Sequence, residues 1–376
     1  MASPVERVLF LTYELSFRGA SILALRLAQG LESAGIETVI LCSRLRKLDQ
    51  TLIQKVRVVP VPGYTLPIWG RVVHRTVLHH LISQPPDVIH ALGPRLLPQA
   101  LWLGRTLNRP VVLSLADQTE AARIQLPTQT GVCKAIACVS DSVRAALPAR
   151  LENMEQRVVL PGVPLDLSRV PAPILEEGRV PVVGMAGPLE VIKGGSFFLR
   201  ACHRVIEAGQ QVRIVVAGSG PEEKNLRKLA TSLELDKVVT FVDDGAAMST
   251  YLAAVDIFCL PSLQQGFGVI MLEAMALGRP AIASGVGGIL SIIEDGKNGL
   301  IVPPSDSRAL ADRILELLND PEKARRIAIA GQNLVEDRFT AERMVQENLM
   351  LYHEVVQAEP ASVPSIPITA GKDGPA

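Results

Sequence analysis

Short, nearly unbroken apolar runs recur along the chain, and most are followed by a segment with helical spacing. Residues 7–12 (RVLFLT), 37–42, 56–61, 87–91 (DVIHA), 110–115 (PVVLSL) and 134–140 (KAIACVS) read as buried strands. A strand covered on both faces has no reason to alternate polar and apolar side chains, so such runs predict parallel sheet. A second series follows at 180–185, 212–217 (VRIVVA), 238–242, 257–260 and 281–283. The spacing predicts helices over 21–33, 67–81, 196–208, 269–277, 307–319, 321–336 and 339–357. Gly35 stops the first of these, and Gly278-Arg279-Pro280 stops the one over 269–277. Ser140 and Asp141 offer caps for a further short helix, and Thr340 for the last one. The predicted class is α/β with two doubly wound sheets. Residues 163–179, rich in Pro and polar side chains, read as the linker between them, and 358–376, rich in Pro, Ser, Ala and Gly, as disordered.

Composition narrows the function. The 376 residues suffice for two domains of ordinary size, and 48% hydrophobic residues can fill two cores. Thirty-eight basic and 38 acidic residues give a formal net charge of +0, which argues against a nucleic-acid binder held by a general positive field. The five cysteines (Cys42, Cys133, Cys138, Cys202, Cys259) are odd in number, scattered and without a CxxC pair, so neither a disulfide frame nor a zinc site is expected. The first residues lack a basic segment followed by a long apolar run, and no apolar run reaches about 18 residues. The expected location is cytoplasmic.

The candidate chemistry concentrates at residues 261–280, PSLQQGFGVIMLEAMALGRP. Gly266 and Gly268 flank Phe267 and allow a close backbone approach at a helix start, where unpaired N–H groups favour an anion or sugar hydroxyls. Glu273 stands among Met271, Leu272, Ala274 and Met275; its partner is either a ligand hydroxyl or a neighbouring arginine. Lys193, in GPLEVIKGG (187–195), precedes the helix over 196–208 and reads as an anion ligand or as a solvated lysine. His90 ends a strand, where α/β sheets bind ligands; it is a binding residue or a structural one. The helix over 67–81 carries Arg71, His74, Arg75, His79 and His80 beside Trp69, so it either docks on an anionic membrane surface or packs on its own domain.

These motifs resemble the retaining GT-B glycosyltransferases of family 4 (glycosyl transferases group 1), over residues 6 to 357. The segment 261–280 resembles E-G-F-G-x-x-x-x-E-A-M-A-x-G-x-P, with Glu273 at the second acid and Gln265 at the first. GPLEVIKGG resembles G-R-L-x-x-x-K-G, with Lys193 kept and Pro188 in place of Arg. Gly218 and Gly220 resemble G-x-G-P, and Ser291 occupies a position that is usually Glu. The resemblance implies two Rossmann-like domains facing across a cleft: 1–165 for the acceptor, 166–338 for the donor, a helix 339–357 crossing back and a tail 358–376.

It also implies a sugar moved from a UDP-, GDP- or ADP-sugar to a glycan, lipid or small-molecule hydroxyl, without cofactor or metal. Catalytic roles fall to Lys193, Glu273 and Gln265, and donor binding to Gly187, Lys193, Gly218, Gly266, Phe267, Gly268 and Glu273. Acceptor contacts fall to Gly19, His90 and Asp117; Gly19 reads equally as part of a plain turn, and Asp117 follows Ala116, where the family often has His. Envelope polysaccharide synthesis with peripheral membrane contact is the implied setting. The departures at Gln265, Pro188, Ala116 and Ser291 leave a second reading, a protein that binds nucleotide sugar without turnover. A GT-B-type epimerase is a third. A dehydrogenase is disfavoured, since neither βα loop has the GxGxxG fingerprint.

Overall fold

A computed structural model describes residues 5–15, 20–46, 56–65, 69–126, 131–165, 173–243 and 248–358. In order, these form β1 (Arg7–Leu15), α1 (Ala20–Ser33), β2 (Glu37–Leu45), β3 (Arg57–Pro60), α2 (Trp69–Ser83), β4 (Val88–Leu92), α3 (Leu97–Leu107), β5 (Val111–Leu115), α4 (Gln118–Arg123), β6 (Cys133–Cys138), α5 (Asp141–Ala145) and β7 (Glu155–Val158). There follow β8 (Val182–Ala186), α6 (Gly195–Glu207), β9 (Arg213–Ala217), α7 (Glu223–Ser232), β10 (Val239–Val242), α8 (Met248–Ala254), β11 (Ile257–Leu260), α9 (Val269–Ala276), β12 (Ala281–Ser284), β13 (Leu300–Val302), α10 (Ser307–Asn319), α11 (Pro321–Arg338) and α12 (Ala341–Gln357).

The chain divides into two compact units, Met1–Pro161 with Ala341–Ala376, and Gly162–Thr340. Residues 162–165 go with the second unit because Val163 N–H donates to the Phe339 carbonyl at 2.8 Å and Val163 pairs with Thr340. Among the described residues, the first unit holds a sheet ordered β3-β2-β1-β4-β5-β6-β7 and the second a sheet ordered β10-β9-β8-β11-β12-β13. Every pairing is parallel. The order reverses between β1 and β4 in one sheet and between β8 and β11 in the other. These are the switch points at which doubly wound sheets bind ligands, beyond the carboxyl ends of the strands.

The apolar runs fill the cores. Leu9, Leu11, Ile89, Val111, Leu113 and Ile136 lie in one face of the first sheet's core, and Val8, Phe10, Ile40, Val88 and Val112 in the other. In the second unit α6 buries Phe198, Leu199, Ala201, Cys202 and Val205, a helical stripe, against Ile214, Val216 and Ile257. Fully buried Asp256 ties segments together: it accepts from the Leu175 N–H at 2.9 Å and the Val182 N–H at 2.7 Å, and pairs with Arg179. The five cysteines are buried thiols; burial pushes Cys42 and Cys138 up to about 11.

The C-terminal helix α12 packs in the first unit, with Met344, Val345, Leu351, Tyr352 and Val355 in the core that holds Leu25 and Ala28 of α1. A Cβ on Gly30 would stand 2.3 Å from Val345, so α1 and α12 touch where only glycine fits. The helix α2 packs Val73, Val77, Leu78 and Leu81 on the same unit, and its His74 is buried, stacked 5.2 Å from the Trp102 ring.

Some elements differ from the sequence-based expectation. Strand β1 runs on to Leu15 because Glu14 and Leu15 pair with Arg44 and Leu45. Helices α3, α4 and α8 and strands β7 and β13 were not predicted. In α3 the buried positions Leu97, Ala100, Leu101 and Gly104 do keep helical spacing behind a proline in the first turn.

Candidate functional site

The site builds from the loops that leave β8, β9, β11 and β12 at their carboxyl ends. After β8 the chain turns through Gly187, with φ at 135°, and its N–H donates to the Ala217 carbonyl at 3.0 Å. A short turn, Val191–Lys193, then ends at Gly194, whose left-handed backbone (φ 72°) opens α6. After β9, Gly218 has φ at 133°, and Ser219 accepts from the Leu189 N–H at 2.9 Å. After β11, the Leu263 N–H donates to the Ile192 carbonyl at 2.8 Å, laying the 261–268 loop on the 191–194 turn.

This docking is tight at glycines. A Cβ on Gly194 would lie 1.9 Å from the Pro261 carbonyl oxygen. After β12, a Cβ on Gly287 would lie 1.9 Å from the Gln265 carbonyl oxygen, and the Gly288 N–H donates to the Gly266 carbonyl at 2.9 Å. The loops after β8, β11 and β12 therefore converge around residues 191–194 and 265–268 at the switch point between β8 and β11, while the loop after β9 seats on residues 187–189.

Lys193 and Gln265 meet there. Lys193 Nζ donates to Gln265 Oε1 at 2.9 Å, and buried Ser262 donates from Oγ to the same oxygen at 3.1 Å. Burial lowers the Lys193 pKa, partly offset by the Glu190 carboxylate. A partly desolvated ammonium gains more from a second anion than an exposed one. Gly268, with φ at 78°, caps α9, so the N–H groups of that helix begin beside Gln265 and the exposed Gly266. Glu273, in the second turn of α9, is half-buried.

Phe267 differs from the expectation for a donor ligand. The residue is 6% exposed and its ring sits 5.7 Å from the Phe339 ring, so the side chain anchors the loop. Sequence reasoning missed Ser262, Gly194, Gly287 and Gly288 as site builders. The glycine pairs at 194–195 and 287–288 were the available signal, but the carbonyls they approach are remote in sequence.

In the first unit, His90 corrects the expectation of a binding residue. It is 0% exposed on β4, with Nδ1 2.6 Å from the Tyr352 hydroxyl and Nε2 2.7 Å from Ser114 Oγ. Both ring nitrogens are committed, and burial lowers its pKa to about 3. The structural reading holds: His90 ties α12 to the sheet. Asp117 is the N-cap of α4, its Oδ1 accepting from the Thr119 and Glu120 N–H groups at 2.7 and 3.1 Å, so that oxygen is occupied by the backbone. Gly19 lies outside the described residues. At the carboxyl ends of β1 and β2 the guanidiniums of Arg95 and Arg44 lie 4.3 and 5.4 Å from the centre of the Tyr13 ring. Among the described residues no helix is long and apolar enough to cross a membrane.

Comparison with known proteins places this geometry. Residues 17–167 match the family model described as Glycosyltransferase Family 4, and residues 180–320 match Glycosyl transferases group 1. Similar curated relatives include the phosphatidyl-myo-inositol mannosyltransferase of Mycobacterium leprae, 25% identical over 84% of this chain and 87% of that one. The D-inositol 3-phosphate glycosyltransferase of Corynebacterium urealyticum is 35% identical over 40% of this chain and 37% of its own. Among solved structures, Anabaena HepE in complex with UDP and glucose superposes with a TM-score of 0.76 at 20% identity, covering 93% of this chain and all (100%) of that one. Sucrose-phosphate synthase from Thermosynechococcus elongatus gives 0.73 at 20% identity, over 93% and 99%. At these identities the structures speak for the fold. The two family models match one in each sheet-bearing part of the chain, and the chain is an enzyme of the GT-B glycosyltransferases, family 4.

Proposed function

We propose that the enzyme moves a sugar from a nucleotide-sugar donor to an acceptor hydroxyl with retention at the anomeric carbon. The observation that carries this reading is the meeting of Lys193, Gln265 and the start of α9 at the β8/β11 switch point. Three features there suit a nucleotide sugar. The Lys193 ammonium and the N-terminus of α6, which begins just after it, suit a diphosphate. The Gly266–Gly268 backbone suits sugar hydroxyls. Glu273 suits the ribose hydroxyls, as an acceptor of two hydrogen bonds. Support also comes from the HepE crystals, which hold UDP and glucose.

In this reading the acceptor oxygen attacks the anomeric carbon on the face from which the diphosphate leaves. The bond to the phosphate oxygen breaks, and the departing phosphate takes the acceptor's proton. Lys193 stabilises the negative charge that grows on the leaving group, where a fixed cation lowers the barrier most. No protein nucleophile is needed. In this reading the acceptor falls to the first unit, and its class is a glycan, lipid or small molecule. Relatives are named for phosphatidyl-myo-inositol and D-inositol 3-phosphate, which supports a polyol hydroxyl.

The test is release of free nucleotide from UDP-, GDP- and ADP-sugars, with and without acceptor mixtures. Acceptor-dependent release that Lys193→Ala and Glu273→Ala each abolish is the expected result. Donor binding without release for any acceptor would replace this reading by one of a binding protein.

A further inference from the structure

We infer that Tyr13, Arg44 and Arg95 form an oxyanion subsite in the first unit, which takes the phosphate or carboxylate of an anionic acceptor; the acceptor role rests on the transferase reading above. The three residues reach one place from three strands. Tyr13 lies near the carboxyl end of β1 and Arg44 near that of β2, and the pairs Thr12–Cys42 and Glu14–Arg44 set these two ends level. Arg95 follows β4, the other neighbour of β1. Gly93, with φ at 96°, turns the chain directly after β4, and its N–H donates to the Ser114 carbonyl at 3.0 Å. The turn Pro94–Leu96 then carries the Arg95 guanidinium to 4.3 Å from the centre of the Tyr13 ring. That contact spans β1 and β4, the strands between which the sheet reverses, where a doubly wound sheet leaves a crevice for a ligand.

The charges around the ring favour an anion. Arg7, Arg46 and Arg157 each pair with a carboxylate. Arg44 and Arg95 do not: among the described residues neither has a hydrogen-bond or ion-pair partner, and both guanidiniums rest on Tyr13, Arg44 at 5.4 Å. An aromatic face holds a guanidinium through its charge and leaves its fork of N–H donors for an oxyanion. The nearby acids do not supply one. Glu14 is taken by Arg46 at 3.0 Å, and Asp117 Oδ1 by the N-terminus of α4. Glu120 acts on Arg95 through space without an ion pair. Two like charges thus share one ring with no carboxylate between them, a repulsion that a bound oxyanion relieves. Both arginines are exposed, so a ligand can reach them, and the half-buried Tyr13 is the residue that positions them.

The experiment titrates the full chain at one low ionic strength with glycerol 3-phosphate, succinate and glycerol, and separately with UDP, GDP and ADP. Wild type should bind glycerol 3-phosphate or succinate at least about ten-fold more tightly than glycerol, the two anions separating phosphate from carboxylate. Arg44→Gln and Arg95→Gln, folded by their melting curves, should each weaken that anion by about ten-fold, as for a charge-assisted hydrogen bond lost. Neither should change the affinity for the nucleoside diphosphate. Tyr13→Phe keeps the ring and should bind the anion as wild type does, whereas Tyr13→Leu should weaken it. Binding of neither anion, glycerol bound as tightly as both, or unchanged anion affinity in the two arginine variants overturns the inference. Loss of nucleoside diphosphate in either arginine variant gives these guanidiniums to the donor and also overturns it. An intact anion site in a chain that binds no nucleoside diphosphate overturns the transferase reading, and with it the acceptor role.

Discussion

The Lys193 ammonium donates to Gln265 Oε1 at 2.9 Å although 72 residues separate them. Parallel topology makes this possible: β8 and β11 are neighbours, so the loops that leave their carboxyl ends emerge side by side. Lys193 is thereby fixed by a neutral hydrogen-bond acceptor, with the Glu190 carboxylate as the anion acting on it.

The close approach of Gly194 to Pro261 predicts a severe substitution. Gly194→Ala places a Cβ 1.9 Å from a carbonyl oxygen on a backbone with φ at 72°. The left-handed conformation alone costs roughly 1–2 kcal/mol, and the clash forces the two loops apart. Gly35→Ala is the control, since its φ of 84° is similar but nothing lies within 4 Å. Chemical denaturation should show a loss of roughly 1–2 kcal/mol for Gly35→Ala, and a clearly larger loss, with impaired nucleotide binding, for Gly194→Ala.

Phe267 is expected to act through packing. Phe267→Ala removes a ring packed against Phe339 and should cost roughly 3–5 kcal/mol in the unfolding free energy, the range for buried aromatics. Phe267→Leu should keep most of it. A loss below about 1 kcal/mol for the alanine variant would contradict the packing role.

His90 gives a pH dependence of known sign. Its folded pKa is about 3, below the ordinary 6.5, because burial disfavours the charged ring. A depressed folded value means that the stability is fully present above 6.5 and is lost as pH falls from 6.5 towards 3. Between pH 6.5 and 5, before most carboxylates titrate, unfolding experiments should show a slope of up to roughly 1.4 kcal/mol per pH unit. His90→Gln should be destabilised at pH 7 and should show a shallower slope, the remainder coming from buried His74, whose pKa burial also lowers.

The strands were legible because burial on both faces writes continuous apolar runs such as VVLSL and RIVVA. Helix α3 was passed over, though its apolar spacing is regular, because it follows a proline-interrupted stretch. Lys193, Gln265 and Glu273 stand out through motifs whose spacing survives in the sequence, and the fold brings the first two together. Ser262, Gly194 and Gly287 were not, since their roles depend on atoms that only folding brings near. His90 misled for the same reason: Tyr352, its partner at 2.6 Å, lies 262 residues further on.

In the proposed function Lys193 holds the diphosphate of a nucleotide donor in the second unit. Calorimetric titration of wild type and Lys193→Ala with UDP, GDP and ADP tests it most directly. One nucleoside diphosphate should bind wild type, and Lys193→Ala, folded by its melting curve, should weaken it by roughly 10- to 100-fold, as for a charge-assisted hydrogen bond of about 1.5–3 kcal/mol. Equal affinity in the two proteins would contradict it.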